Sequence, residues 1–452
     1  MVWNQVSIML SPPKLVDWTL EVIMPGSHRG VNGIVLPVNP FVRAAAARHD
    51  ALVTDHEVQV LDDAEVRAAH TLFRAAMHHP AAQDEQWAHT RHAYVPGRTL
   101  GVRGGELLVG TTTSFPAPLT VPGRTGVPHA GVTRVGVRAD HTRRGVVTEL
   151  MRAQLRDLAE RGEVLASLRA SEAAIYGRFG YGVASRGRML AVDRARARLH
   201  PGAPVTGEVR LLAPEELDTV VPEVYARLDP SRPGWQERSA HYWALALARY
   251  HAGDEYLVAA VHTGPAGPDG YVLYTFVREE HGRALEIREL HASTPGAQAG
   301  LWRFLLGVDL VSRITTDDPL PLDLPLELLL TDRDAVRTTA VQDEIWLRLV
   351  DVPEALAART YEAAEPVVLS VRDRFLPANT GHYRIGQDGA SRTEAAADLE
   401  LDVDALAALY LGGTRPTELA EAGRLTVSTP SALPSADRLF GTGRPPWSGT
   451  FF

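Results

Sequence analysis

The chain has 452 residues, 45% hydrophobic and 22% charged, a globular composition with length enough for roughly two to three domains. A net charge of −9 argues against nucleic acid as the main partner and mildly favours cationic small molecules. The absence of cysteine excludes disulfides, thiolate metal sites and a cysteine nucleophile, and is compatible with a cytoplasmic protein. No apolar run approaches the ~18 residues of a membrane span, and no basic segment followed by an apolar one marks a secretory signal. Lys14 is the only lysine, so arginine density by itself is not a binding signal.

In chain order, residues 1–54 are interrupted by Pro12, Pro13, Pro25, Pro37 and Pro40 and carry no amphipathic period, so a mostly irregular extension is expected. From His56 the alternation EVQVLDD predicts a strand, and Asp62 or Asp63 then caps a helix running through Phe73 to Met77. A loop from His78 to Trp87 leads into a further helix. His89 and His92 have no third ligand at a usual distance, so no metal site is expected. Strands follow at Thr99–Val102 and Glu106–Phe115, then a Gly/Pro-rich hairpin loop from Pro116 to His129.

The stretch from Gly131 to Gly182 carries the most information. Thr133, Val135 and Val137 alternate as in a strand, and Gly136 marks a bulge or a close approach to the backbone. Val146, Val147, Leu150, Met151, Leu155 and Leu158 form one face of a helix that ends at Arg161–Gly162. Arg143 and Arg144 stand at the positive end of its dipole, where each is unfavourable by roughly 0.3–1 kcal/mol. A bound anion reverses that sign, since helix N–H groups and two guanidiniums form a pyrophosphate site; a solvated basic turn is the equal alternative. Val164–Arg169 reads as a second strand, leading to Ser171, Glu172 and IYGRFGYG from Ile175 to Gly182.

That layout resembles motif A and its continuation in the GNAT N-acetyltransferase superfamily. The run RASEAAIYGRFGYG is similar to the Eis (enhanced intracellular survival) branch, and the similarity of layout extends from about Asp55 to Phe452. The resemblance implies an α+β architecture of tandem GNAT folds, the second degenerate, followed by a sterol-carrier-like domain. The expected divisions are the extension at 1–54, a catalytic GNAT domain at 55–203, a degenerate GNAT domain at 204–343 and the sterol-carrier-like domain at 344–452.

Arg188–Val192 is expected to close the first unit, and Arg194–Pro204 to link it to the next. The second unit opens at VRLLAPEEL and shows a helix at Trp235–Tyr250. Strands are expected at Tyr256–His262, Tyr271–Val277 and Leu285–His291, then a helix at Ala297–Gly307. It repeats the first unit, but its central loop has no arginine or lysine between Glu289 and Trp302 and should not hold a pyrophosphate. Glu344–Thr360 begins a third unit with a strand and a helix started at Pro353. Strands at Val367–Val371 and His382–Ile385 and helices at Val403–Leu411 and Pro416–Ala422 complete it.

The resemblance assigns residues to the chemistry of an acetyl-CoA-dependent N-acetyltransferase needing no metal. The cradle is Arg143, Arg144, Gly145 and Val146; the superfamily pattern of Gln or Arg, two residues, Gly, one residue, Gly or Ala meets Thr142 and Val147 here. Thr142 removes one potential guanidinium contact. A strand bulging at Gly136 offers the backbone of Val135 and Val137 to the pantetheine amides. Tyr176 is the general acid and Ser171 binds the cofactor or orients Tyr176. The alternative for Tyr176 is a core aromatic packed beside Phe179 and Tyr181, and for Ser171 a helix cap. The early helix–loop region implies His79, Glu85 and Trp87 as lining of the acceptor site, together with Phe451.

The chain ends PPWSGTFF with no charged side chain after Arg444, which predicts a docked tail rather than a frayed one. The family resemblance makes the carboxylate of Phe452 the general base; a tail packed for stability alone is the alternative. Further implications are a small-molecule amine acceptor, polycationic as in the aminoglycosides, and a homo-oligomer, a hexamer by resemblance. A protein that binds a lipid or coenzyme A on a non-catalytic GNAT scaffold is the competing possibility.

Overall fold

Val58–Val60 forms a short edge strand, β1, at the start of the described part of the chain. The computed structural model describes residues 57–251, 256–279 and 282–452; the extension expected at 1–54 lies outside them. Asp62 Oδ1 accepts the N–H groups of Ala64 and Glu65 at 2.9 and 3.0 Å, so it caps a turn, and helix α1 proper runs Val66–Ala76. Helix α2 (Asp84–Thr90) follows, then the antiparallel strands β2 (Thr99–Gly104) and β3 (Leu107–Pro116).

The segment expected as a hairpin loop is instead a packed hairpin, β4 (Leu119–Val121) and β5 (Arg124–Val127). Leu119, Val121 and Val127 are fully buried in a core shared with the C-terminal part of the chain. The Thr120 N–H donates to the Trp235 carbonyl at 2.8 Å and its carbonyl accepts the Gly234 N–H at 2.8 Å. Those bonds and the Leu119–Gln236 bridge hold residues 234–236 out of helical conformation, so the helix expected from Trp235 starts only at Ala240.

Strand β6 (His129–Val137) pairs with β3, and helix α3 (Val146–Glu160) leads to β7 (Leu165–Leu168). Helix α3 buries Val146, Leu150, Met151, Leu155 and Leu158 as the periodicity requires. It closes with left-handed Gly162, whose N–H bonds to the Ala159 carbonyl while the Glu163 N–H bonds to the Leu158 carbonyl, the paired cap of a Schellman motif. A single turn, α4 (Ala173–Tyr176), then β8 (Gly182–Val183) and β9 (Arg186–Asp193) follow.

In the second unit come β10 (Glu208–Leu211), α5 (Leu217–Tyr225), α6 (Ala240–His251), β11 (Val258–Gly264), β12 (Gly267–Glu279) and β13 (Gly282–Ala292). Helix α7 (Pro295–Gly307), β14 (Arg313–Thr316), β15 (Leu320–Pro321), the short α8 (Leu326–Leu329), β16 (Val336–Asp343) and β17 (Trp346–Leu349) complete it in sequence.

In space the two units exchange strands. The first sheet has the order β1-β2-β3-β6-β7-β17-β8, and the second β10-β11-β12-β13-β14-β9-β15, with β16 on the other edge of β9. Arg188–Val192 therefore does not close the first unit, and Trp346–Leu349 does not begin the third. Each occupies, in the other unit's sheet, the position after the strand that follows the central helix. The exchange satisfies both strand edges with backbone hydrogen bonds and locks the two sheets together.

A third sheet, β20-β19-β18-β21-β22, belongs to the last part of the chain. In sequence this part holds α9 (Val352–Ala358), β18 (Val367–Arg372), β19 (Gly381–Gly386), β20 (Gly389–Thr393) and β21 (Leu399–Asp402). Then come α10 (Val403–Tyr410), α11 (Pro416–Glu421), β22 (Leu425–Val427) and α12 (Ala432–Phe440). A Cβ on Gly182 would meet the Asp404 carbonyl oxygen at 2.0 Å, so the last glycine of the YGRFGYG run is required by contact with α10. Among the described residues no helix is long and apolar enough to cross a membrane.

Candidate active site

Strands β6 and β7 run parallel only from His129↔Leu165 to Gly131↔Ser167. Beyond Gly131 they part, leaving one backbone edge of β6 without a strand partner. Opposite β3 the register jumps from Thr111↔Gly136 to Thr113↔Thr133, so β6 carries one extra residue, and Arg134 there has a φ of 52°. The bulge thus lies at Arg134, before the glycine expected to mark it. Gly136 serves the other purpose a strand glycine can have: a Cβ there would stand 3.0 Å from the Phe73 Cα of α1.

Helix α3 begins beside this opening. Its N-cap is Gly145, left-handed with a φ of 84°, and no side chain caps it; Arg143 and Arg144 are both exposed. The equivalent helix α7 differs: Thr294 caps it by accepting the Ala297 N–H at 3.0 Å, and the Thr294 hydroxyl donates to Asp269. The first unit leaves the helix N-terminus without a side-chain cap, next to Arg143 and Arg144; in the second unit Thr294 fills that place.

A cavity of about 1040 Å³ opens between α1, α2, β6 and β7. Its lining includes His79, Glu85, Val135, Ser171, Tyr176, Phe451 and Phe452. Val137, Arg143, Arg144, Gly145 and Val146 lie outside that lining; Val137 pairs with Gly110, and the Val146 side chain is buried against Leu100, Val102 and Val109. Trp87 does not line the cavity either. Its ring packs 5.4 Å from His70 and 5.9 Å from Tyr94, because a large apolar ring gains more from that aromatic contact than from a solvent-filled wall.

Tyr176 is buried, its ring edge-on to Tyr181 at 6.1 Å, and its hydroxyl has no hydrogen-bond partner among the described residues. Burial pushes its pKa up to about 12. The turn before it is capped by Glu172, which accepts the Ala174 N–H at 3.4 Å, so Ser171 is not the cap and stays exposed at the cavity wall. His70, also in the lining, is pushed down to about 4 by burial, with Arg134 and Arg74 adding to the effect. Among the described residues no group of His, Asp or Glu is placed to hold a metal ion.

The C-terminal tail is docked, as its composition predicts. The Trp447 N–H donates to Pro233, and its indole N–H to Pro319, each at 2.9 Å. Glu344, fully buried, accepts the N–H groups of Ser448 and Gly449 and the Ser185 hydroxyl. Arg169 donates to the Thr450 carbonyl at 3.1 Å and to Glu344 at 3.2 Å. From the second unit, Arg238 donates to the Gly449 carbonyl at 2.7 Å and pairs with Glu289 at 2.8 Å. The last residue then packs edge-on against Phe115 at 5.1 Å.

Models of the acetyltransferase (GNAT) domain match residues 57–184 and again 234–349, and the sterol carrier protein domain model matches 352–449. N-acetyltransferase Eis of Mycobacterium tuberculosis (strain ATCC 25177 / H37Ra) is 39% identical over 364 residues, 76% of this chain and 86% of the relative. The chain belongs to the Eis family of GNAT N-acetyltransferases. An N-acetyltransferase of Streptomyces avermitilis is also 39% identical, over 378 residues that make up 77% of this chain and 88% of the relative. The crystal structure of Eis1 from Mycobacterium abscessus superposes with a TM-score of 0.80 at 38% identity, covering 88% of this chain and 100% of that one.

Membership of the Eis family makes the protein an N-acetyltransferase and establishes two GNAT domains followed by a sterol-carrier-like one. The GNAT domains imply acetyl-CoA as the acetyl donor. Sequence reasoning missed Glu344, Arg169 and Arg238, which hold the tail, and Arg134 at the bulge. The acidic pair Asp343–Glu344 at the start of the largely apolar EIWLRL is the one local signal for Glu344; nothing local marks the other three.

Proposed function

We propose that the protein transfers the acetyl group of acetyl-CoA to a primary amine of a small molecule by direct attack within a ternary complex. The observation that carries this reading is that Tyr176 and the C-terminal Phe452, from distant parts of the chain, line one cavity beside the β6–β7 opening. In this reading Arg143, Arg144, Gly145 and the first turn of α3 hold the pyrophosphate. The free edge of β6 at Val135 and Val137 takes the pantetheine amides, and Ser171 hydrogen-bonds the thioester arm.

The amine nitrogen attacks the thioester carbonyl carbon, the C–S bond breaks, and two proton transfers balance the step. The Phe452 carboxylate accepts the amine proton, and Tyr176 gives its phenolic proton to the departing thiolate. A carboxylate with an ordinary pKa of about 3.5 is a weak base for an ammonium, so it works desolvated or through a water. With Tyr176 near 12 against a thiol of about 8.5, donation as an isolated step is uphill by about 5 kcal/mol. Proton transfer concerted with C–S cleavage avoids that intermediate.

Polycationic amines such as aminoglycosides are the acceptor class that family membership favours, and Glu85 and the terminal carboxylate are the cavity's groups for cationic nitrogen. A cytoplasmic hexamer completes this reading, checked by light scattering on the purified chain. The direct test is thiol release from acetyl-CoA across aminoglycosides, diamines and a lysine peptide at equal concentration. Turnover with at least one amine is expected; none with any acceptor would sink the proposal.

A further inference from the structure

We propose that the cavity contains a subsite for an oxyanion, a carboxylate or a phosphate carried by the acceptor amine, bound by Arg134 with His70. The inference rests on the amine acetyl transfer proposed above and narrows its acceptor.

Arg134 occupies the β6 bulge in the left-handed region, a strained backbone for a long side chain, and is 5% exposed. Its guanidinium carbon lies 4.3 Å from the centroid of the Tyr94 ring. Neither Nη1 nor Nη2 has a hydrogen-bond partner, and no carboxylate pairs with it among the described residues. Other buried arginines here are compensated. Arg238 pairs with Glu289 and Arg348 with Asp373, while Arg359 donates to the carbonyls of Tyr410, Leu439 and Phe440. A buried guanidinium left unpaired is strongly unfavourable, and a cation–π contact offsets only part of that cost.

Tyr94 also touches a second orphan, His70, which lies close enough to Arg134 to feel its charge. His70 Nδ1 is 3.0 Å from the Tyr94 hydroxyl oxygen, while Nε2 is buried without a partner. Three polar nitrogens without partners therefore flank one tyrosine, and both His70 and Arg134 line the cavity. With the Tyr94 hydroxyl donating to Nδ1, the neutral imidazole carries its proton on Nε2 and becomes a donor. A guanidinium edge and an imidazole N–H are the donor types that a carboxylate or phosphate accepts from, and a small turn of either side chain toward the cavity would offer them to one. An ammonium placed beside Arg134 meets like charge instead, so a polycationic acceptor keeps its amines on the Glu85 side of the cavity. The cavity is thus bipolar: Glu85 and the Phe452 carboxylate for the ammonium, Arg134 and His70 for the oxyanion.

The test compares α,ω-amino acids from β-alanine to 8-aminooctanoate with their carboxamides, the matching diamines and the ω-aminoalkylphosphonates, at saturating acetyl-CoA. At one chain length or more, the carboxylate or phosphonate should exceed the carboxamide in kcat/KM by tenfold or more. Either preference supports the subsite, and which is larger names the oxyanion. Arg134→Met should bring the ratio to near one with acetyl-CoA KM changed less than twofold; Arg134→Gln is the second variant should the first fold poorly. Equal use of carboxamides and acids, or a preference that survives both substitutions, overturns the inference while leaving amine acetylation standing. If no amine of any kind turns over, the acetyl-transfer reading fails separately. Calorimetric titration with hexanoate against hexanamide then decides the subsite: tighter hexanoate binding lost in Arg134→Met supports it, and equal binding overturns it.

Discussion

Glu344 accepts the backbone N–H of Gly449 at 2.6 Å, tying the residue just ahead of the exchanged strand β17 to the third residue before the chain end. The same carboxylate pairs with Arg169 at the end of β7. Strand exchange, tail docking and the segment leading from β7 toward Tyr176 thereby share one buried group. Glu344→Ala should lower stability by about 3–5 kcal/mol, because it strands Arg169 and two backbone donors. Thermal denaturation reads the loss, and limited proteolysis should show the tail released.

Appending Gly-Ser after Phe452 moves the terminal carboxylate without touching the anchors at Ser448, Gly449 and Thr450. If that carboxylate is the base, kcat should fall by about 10²-fold or more while acetyl-CoA binding, followed by calorimetry, stays within a factor of two. Unchanged turnover would leave the tail with a packing role alone.

For Tyr176→Phe, the expected result is a kcat lower by about 10²-fold with acetyl-CoA binding kept. Stability should be unchanged or slightly higher, since the hydroxyl has no partner to lose. Because burial pushes Tyr176 up to about 12, no loss of activity from its ionisation is expected up to about pH 10. An alkaline limb near pH 9 that vanishes in the variant would contradict this.

Replacing Arg143 and Arg144 together by alanine should raise the KM for acetyl-CoA by about 10–100-fold, the worth of one or two charge-assisted hydrogen bonds. The acceptor KM should barely move, as neither residue lines the acceptor cavity. Equal rises in both constants would point to a folding defect rather than a phosphate site.

Acid sensitivity has a specific source. Burial pushes His129 down to about 4 and His291 to about 3. A depressed histidine contributes stability that is fully present above its unfolded pKa of about 6.5 and is lost as pH falls toward the folded value. Each contributes a slope of up to about 1.4 kcal/mol per pH unit in that window. The melting temperature should fall between pH 6.5 and 4.5, less steeply in His129→Gln; a flat profile would rule the effect out.

Periodicity and local chemistry located most helices and strands, since α3 and its closing glycine are set by residues adjacent in the chain. The partners of strands were not legible. MLAV in β9 and WLRL in β17 read as ordinary closing and opening strands, and their exchange is decided by which sheet edge each reaches. The PAPLTVPG segment reads as loop because its prolines and glycines are local signals, whereas the burial of Leu119 and Val121 depends on a core assembled from the far end of the chain.

The sequence by itself determined the family, the acetyltransferase activity and the tail composition that demands docking, all carried by short contiguous runs. Only the tertiary structure decided where the bulge falls, that Trp87 packs on His70 rather than facing the cavity, and that Glu344, Arg169 and Arg238 converge on the tail. It also left the Arg134 guanidinium buried without a carboxylate among the described residues. These depend on contacts between residues up to hundreds of positions apart, and compensation of a buried charge is a property of its neighbours in space rather than of its neighbours in sequence.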